Sequence, residues 1–145
     1  MKVIVQRSLD SNVSVNNEIV GKIDKGLVLL VGFTYGDNLD TIKYMVNKII
    51  NLRIFDDSNN IMNKSVLDIE GSILSISQFT LYADSRKGNR PSYINALKSE
   101  DAIKLYDGFN KELSKYINVE TGIFGSDMKV NINNDGPVTI ILEKE

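Results

Sequence analysis

The segment GLVLLVGFT, Gly26 to Thr34, carries almost no polar side chain. Such a run suits a strand buried on both faces, and a strand of that kind needs apolar cover on two sides. The rest of the chain must supply those layers. KVIVQRS near the start reads as a strand. SNVSV and EIVGKI are short alternating runs joined by Asn16-Asn17, a hairpin signal. SILSISQFTLY alternates from Ser72 to Tyr82, which predicts one long strand with Ile73, Ser75, Ser77, Phe79 and Leu81 on one face. RIF reads as a short strand, and VETGIFG, MKVNIN and VTIILE as three closing strands.

Two segments carry a helical period instead. Ile42, Met45, Val46, Ile49 and Ile50 share one face of a helix that Asn38 or Asp40 would cap. A second helix is expected to be capped by Ser99, with Glu100 and Asp101 in its first turn. Its apolar face would be Ala102, Tyr106, Phe109, Leu113 and Tyr116 or Ile117. The links between strands read as too short and irregular for repeated parallel βαβ units. The expected class is α+β: mostly antiparallel sheets, barrel-like or packed as two sheets, with both helices on one side. A single domain over residues 1–145 fits this length.

The chain has no cysteine and no histidine. That excludes disulfides, thiol nucleophiles, Cys-ligated zinc and every Ser-His-Asp triad. Any catalysis must use carboxylates, lysine, hydroxyls, backbone groups or the substrate itself. The net charge of −2 gives no global sign of nucleic-acid binding, so RNA contact requires a local basic patch. No apolar run reaches membrane-spanning length, and the N-terminus is too short in apolar residues for a signal peptide. The expected location is cytoplasmic.

Several local patterns carry no chemistry. Ser126-x-x-Lys129 has the spacing of some acylating enzymes, but Met128, Val130 and Ile132 alternate, which puts the lysine on a strand. The loop from Asp56 lacks the glycine and glutamate of a calcium loop, with Ile61 and Leu67 in their places. Asn12 and Asn63 match glycosylation sequons without a secretion signal. Two stretches remain. SQFTLYAD places Ser77, Gln78, Phe79 and Thr80 on a strand that should be core, so each polar group needs a partner or a pocket. The loop after it holds Arg86, Lys87 and Arg90, which would hold phosphate if it lies beside that strand. NDGPVT joins a turn signal to a proline at the mouth of a strand.

Together, SQFTLYAD and NDGPVT resemble the two signature motifs of the D-aminoacyl-tRNA deacylase family. VIVQR, GLVLLVGF, RIFDD, SQFTLYADSRKGNRPSY, VETGIFGSDMKV and NDGPVT follow in the family's order and spacing. The resemblance implies a homodimer that hydrolyses the ester of D-aminoacyl-tRNA, and of glycine mischarged on non-cognate tRNA. It implies an active site at the dimer interface. Gly136-Pro137 would be a cis peptide reaching into the partner's pocket and rejecting L-aminoacyl esters, with Arg7 holding the loop. Ser77, Gln78, Phe79 and Thr80 would form the catalytic segment, with backbone N–H groups at Phe79 and Thr80 as oxyanion donors. Phe124, Met128, Asn134 and Thr139 are further substrate-binding candidates, Phe124 and Met128 being equally suited to core packing. No metal or cofactor is implied. Thr80 has no histidine to activate it and no lysine near it in sequence; the resemblance implies that the ribose 2′-hydroxyl assists water attack instead. The rivals are a non-catalytic homodimeric RNA-binding module and a small-molecule esterase; the latter lacks a nucleophile-base pair.

Overall fold

The computed structural model describes residues 1–145. Its main sheet has five strands: β1 (Lys2–Ser8), β4 (Gly26–Gly32), β7 (Ser72–Ser77), β8 (Asn118–Thr121) and β10 (Asn134–Glu143). Their order is β10-β1-β4-β7-β8, which puts the apolar β4 in the centre, as its sequence requires. A second, antiparallel sheet has the order β3-β2-β9, from β2 (Ser11–Val15), β3 (Glu18–Ile23) and β9 (Lys129–Asn131). A small ladder joins β5 (Phe55–Asp56) to β6 (Met62–Lys64). The helices are α1 (Leu39–Ile50) and α2 (Ser99–Leu113). The fold is mixed α+β with no closed barrel.

Alternation along β4 sorts the core into two layers. Leu27, Leu29 and Val31 join Val3, Val5 and Ile73 against both helices. Val28 joins Leu74, Ile76, Val13 and Ile23 between the two sheets. Each buried aliphatic side chain contributes about 1.5–3 kcal/mol of transfer free energy. The buried helix faces are Ile42, Met45, Val46, Ile49 and Ile50 on α1, and Ala102, Tyr106, Phe109 and Leu113 on α2, as predicted; Tyr116 and Ile117 lie beyond the end of α2, and Tyr116 is exposed.

The topology departs from expectation at two connections. β4 pairs with β7, and β7 with β8, in parallel. Each helix is therefore a crossover between parallel strands. A parallel pair needs a link of a dozen or more residues. Both links exceed that length, and the loops inserted beside each helix disguise the βαβ unit.

Local signals mostly hold. Asn38 caps α1, accepting from the N–H groups of Asp40 (2.9 Å) and Thr41 (3.2 Å). The Asn16-Asn17 turn has φ of 51° and 65°, the left-handed pair that closes a two-residue hairpin. Ser99 is not a cap: it is the first helical residue, and Lys98 occupies the cap position without a side-chain bond. Glu100 and Asp101 alone supply the favourable first-turn charge.

The face of the main sheet away from the helices is only partly covered. Ile4 pairs with Ile141 on one side and Leu30 on the other, so the three share that face. Ile141 is 65% exposed. No helix is long and apolar enough to cross a membrane.

Candidate active site

The alternation of SILSISQFTLY does not become one strand. β7 stops at Ser77, and Phe79–Tyr82 form a 3-10 turn. The cause lies in its neighbours. β8 accompanies β7 only to Ser75, and β4 only to Ser77. One last bond, Gln78 N–H to Val31 O (2.7 Å), ends the ladder. The chain then folds back onto Gly32. A Cβ at that position would stand 3.0 Å from Gln78 O and 3.2 Å from Leu81 Cβ, so a side chain there would press the turn outward by a few tenths of an ångström. The N–H groups of Phe79 and Thr80 open the turn and have no partner inside it. The side-chain amide of Gln78 donates to Thr80 Oγ1.

A cavity of about 700 Å³ lies beside this turn. Ser77, Gln78, Phe79, Phe124 and Met128 line it; Thr80 does not. Phe124 and Met128 both line the cavity and pack against the core. Phe124 packs on Tyr106, ring centroids 5.7 Å apart, and Met128 packs against the inter-sheet core. Tyr106 donates to Ser75 O (2.7 Å), and burial raises the pKa of its hydroxyl, keeping it a neutral donor. The cavity wall contains no carboxylate. It therefore offers no pair of carboxylates for acid and base, and its one cationic side chain is Lys98, next to Ser99.

The remaining predicted residues gather elsewhere, on edge strand β10. Gly136-Pro137 is a cis peptide, with Gly136 at φ 120°. Both residues are exposed, and neither lines the cavity of its own chain. The register between β1 and β10 slips here, so the loop leaves the ladder. Asn134 braces its base, donating to Arg7 O (2.9 Å) and Val138 O (3.0 Å) and accepting from Thr139 Oγ1 (3.2 Å). Arg7 holds its flank. Nε donates to Asp135 O (3.3 Å) and pairs with the Asp135 carboxylate (3.2 Å). Nη1 donates to Ile54 O (2.9 Å) and lies 3.6 Å from Asp56.

The basic loop sits beside the turn, a proximity the sequence alone left open. Reciprocal bonds between Asp84 and Ser92 (2.8 and 2.9 Å) close it. Arg86 grips Asp84 with two bonds (2.9 and 2.7 Å), which lower that carboxyl to about 2. Lys87 and Arg90 form no ion pair. Past Ser92, Tyr93 packs edge-on against Phe79 at 5.1 Å. Tyr35, Tyr93, Ile94 and Lys98 also line the cavity and were not picked out from the sequence. A signal for three of them was present: Tyr35, Tyr93 and Ile94 are large apolar residues in otherwise polar loops.

The sequence pattern of the D-Tyr-tRNA(Tyr) deacylase family matches residues 4–143. The chain belongs to that family. The deacylase is also similar to a solved protein described as "c-Myc DNA Unwinding Element Binding Protein", with 40% identity and a TM-score of 0.95. That match covers 100% of this chain and 99% of the other. Another solved structure, of a probable eukaryotic D-amino acid tRNA deacylase, gives a TM-score of 0.84 over 97% of each chain. At 17% identity that second likeness is one of fold. The family makes this chain a hydrolase of aminoacyl-tRNA esters.

For the deacylase, Gly32→Ala is expected to lower kcat/KM by up to about tenfold, because the turn must give by a few tenths of an ångström, short of the displacement of about 1 Å that costs about 100-fold. Single-turnover hydrolysis beside a thermal melt checks this: the activity loss should persist well below the melting transition.

Proposed function

We propose that the deacylase hydrolyses D-aminoacyl-tRNA, and tRNA mischarged with glycine, while sparing L-aminoacyl-tRNA. The observation that carries this reading is the pair of open N–H groups at Phe79 and Thr80, on a turn that borders a cavity without a carboxylate. An activated ester needs orientation and oxyanion stabilisation more than a strong base. Water attacks the ester carbonyl, and the two N–H groups receive the developing oxyanion. Collapse expels the 3′-oxygen of the ribose, with the neighbouring 2′-hydroxyl assisting proton transfer. Ser77 and Gln78 hold polar atoms of the substrate, and Phe124 and Met128 form the apolar wall.

The stereochemical filter belongs, in this reading, to the partner subunit's copy of the loop. Gly136 and Pro137 are exposed and lie outside their own chain's cavity, which supports a role in another chain. The exposed sheet face around Ile4, Leu30 and Ile141 supports a homodimer. The deciding experiment is hydrolysis of D-tyrosyl-tRNA and L-tyrosyl-tRNA side by side. Loss of the D ester alone is the expected result. Loss of both would refute the filter, and loss of neither would refute the catalytic reading.

Thr80 is a binding and orienting residue. Removing its hydroxyl deletes one hydrogen bond, a net effect of about 0.5–1.5 kcal/mol. Thr80→Ala should therefore retain activity within about tenfold. A covalent nucleophile would lose several orders of magnitude instead. Steady-state kinetics on the D ester separates the two.

A further inference from the structure

We propose that the mouth of the cavity stacks the unpaired bases that precede the terminal nucleoside of the aminoacyl-RNA, on Tyr35 and Tyr93, with Lys87 and Arg90 on the adjoining phosphates. The proposal rests on the deacylase reading of the cavity and adds how the RNA is gripped. Four large apolar side chains line that cavity while exposed to solvent: Tyr35 (56%), Phe79 (56%), Tyr93 (42%) and Ile94 (76%). Single exposed apolar residues are ordinary, but a cluster around one opening marks a contact surface. The cluster is held in place. Tyr93 is fixed against Phe79, and Thr34 Oγ1 donates to Asn95 O (2.7 Å), tying the loop of Tyr35 to that of Ile94. Leu97 N–H adds a bond to Phe33 O (3.0 Å).

Charge points to the same occupant. The closed loop between Asp84 and Ser92 runs directly into Tyr93, which joins Lys87 and Arg90 to the cavity's lining within a few residues, and Lys98 stands in the lining itself. Arg86 is engaged by Asp84, whereas Lys87 and Arg90 have no acidic partner. No carboxylate lines the cavity to repel a phosphate. Aromatic faces beside free cations form a platform for single-stranded RNA, and stacking of this kind tolerates any base.

The test measures kcat/KM for Tyr35→Ala and Tyr93→Ala on three D-tyrosyl esters: of adenosine, of the 3′-terminal trinucleotide, and of whole tRNA. Loss of one base stack corresponds to roughly 5- to 150-fold. Losses of that size are expected on the trinucleotide and tRNA esters, with at least fivefold smaller losses on the adenosine ester. Tyr93→Phe, which keeps the aromatic face, should recover most of the loss. A Lys87→Ala, Arg90→Ala double variant should reduce the salt dependence of tRNA hydrolysis by about 1.4 in the log–log slope, as expected for two phosphates on a single strand. Equal losses on all three esters would overturn the proposal and assign the rim to the amino acid. No loss on any ester would also overturn it. Wild-type protein inert towards all three would overturn the deacylase reading itself, and the proposal with it.

Discussion

Two inactive variants, mixed, should regain about a quarter of the wild-type activity. The first is Ser126→Trp, which fills the cavity from its lining. The second is Gly136→Ala, in which the new Cβ would stand 2.8 Å from Val138 Cγ2 and 3.0 Å from Arg7 Nη2 at a φ of 120°. Each should be inert alone: the first because its own cavity is filled, the second because the displaced loop would intrude on the space in the partner's cavity where the ester must lie. If a site takes its cavity from one chain and its loop from the other, a mixed dimer holds one site with both parts intact. Equal amounts of the two chains give half mixed dimers, hence about one working site in four. Co-expression with two different affinity tags isolates the mixed dimer. Purified mixed dimers without activity would exclude a shared site.

Arg7→Ala should abolish most activity and lower stability at the same time. The side chain is 10% exposed and has four partners on two segments. The carboxylates of Asp56 and Asp135 are 47% and 39% exposed, so water replaces their lost ion pairs at little cost. The carbonyls of Ile54 and Asp135 matter more, because Arg7 is the donor to each. Leaving such groups unsatisfied has an effect of about 2–3 kcal/mol, or a fall in Tm of about 4–12 °C for a chain of this size. Activity on the D ester should fall by about 100-fold even at temperatures where the variant is fully folded, because an unsupported loop shifts within the cavity that the substrate must share with it. Arg7→Lys should not restore it. One ammonium cannot reproduce the fork that reaches Ile54 O and Asp135 O together. Near-normal activity in the lysine variant would show that charge alone suffices.

What the sequence disclosed depended on how far apart the determining residues lie. The apolar run of β4, the cap at Asn38 and the buried faces of both helices are encoded within a few residues, and each was legible. The end of β7 was not. Nothing within SILSISQFTLY announces a break at Gln78; it is set by the lengths of β4 and β8 and by the bare Cα of Gly32. The parallel pairings were hidden for the same reason, since strand order is a property of distant segments. The candidate site divided along similar lines. Ser77, Gln78, Phe79, Phe124 and Met128 do meet at one cavity. Arg7, Asn134, Gly136, Pro137 and Thr139 meet at another place, on β10. Tyr35 and Tyr93 escaped notice because loop aromatics carry no period.

The loop on β10 also bears on how the protein behaves when crowded. β10 is an outermost strand, bonded only to β1 within the sheet. A long, regular outer strand exposes a row of free N–H and C=O groups onto which other chains can assemble. Here the register slips near Asn134, and Pro137 has no N–H to offer. An incoming strand would find its bonding pattern broken at that end of the edge. The segment proposed to select substrates thereby also interrupts the edge at the start of β10, and leaves the run from Val138 to Glu143 as the stretch open to pairing.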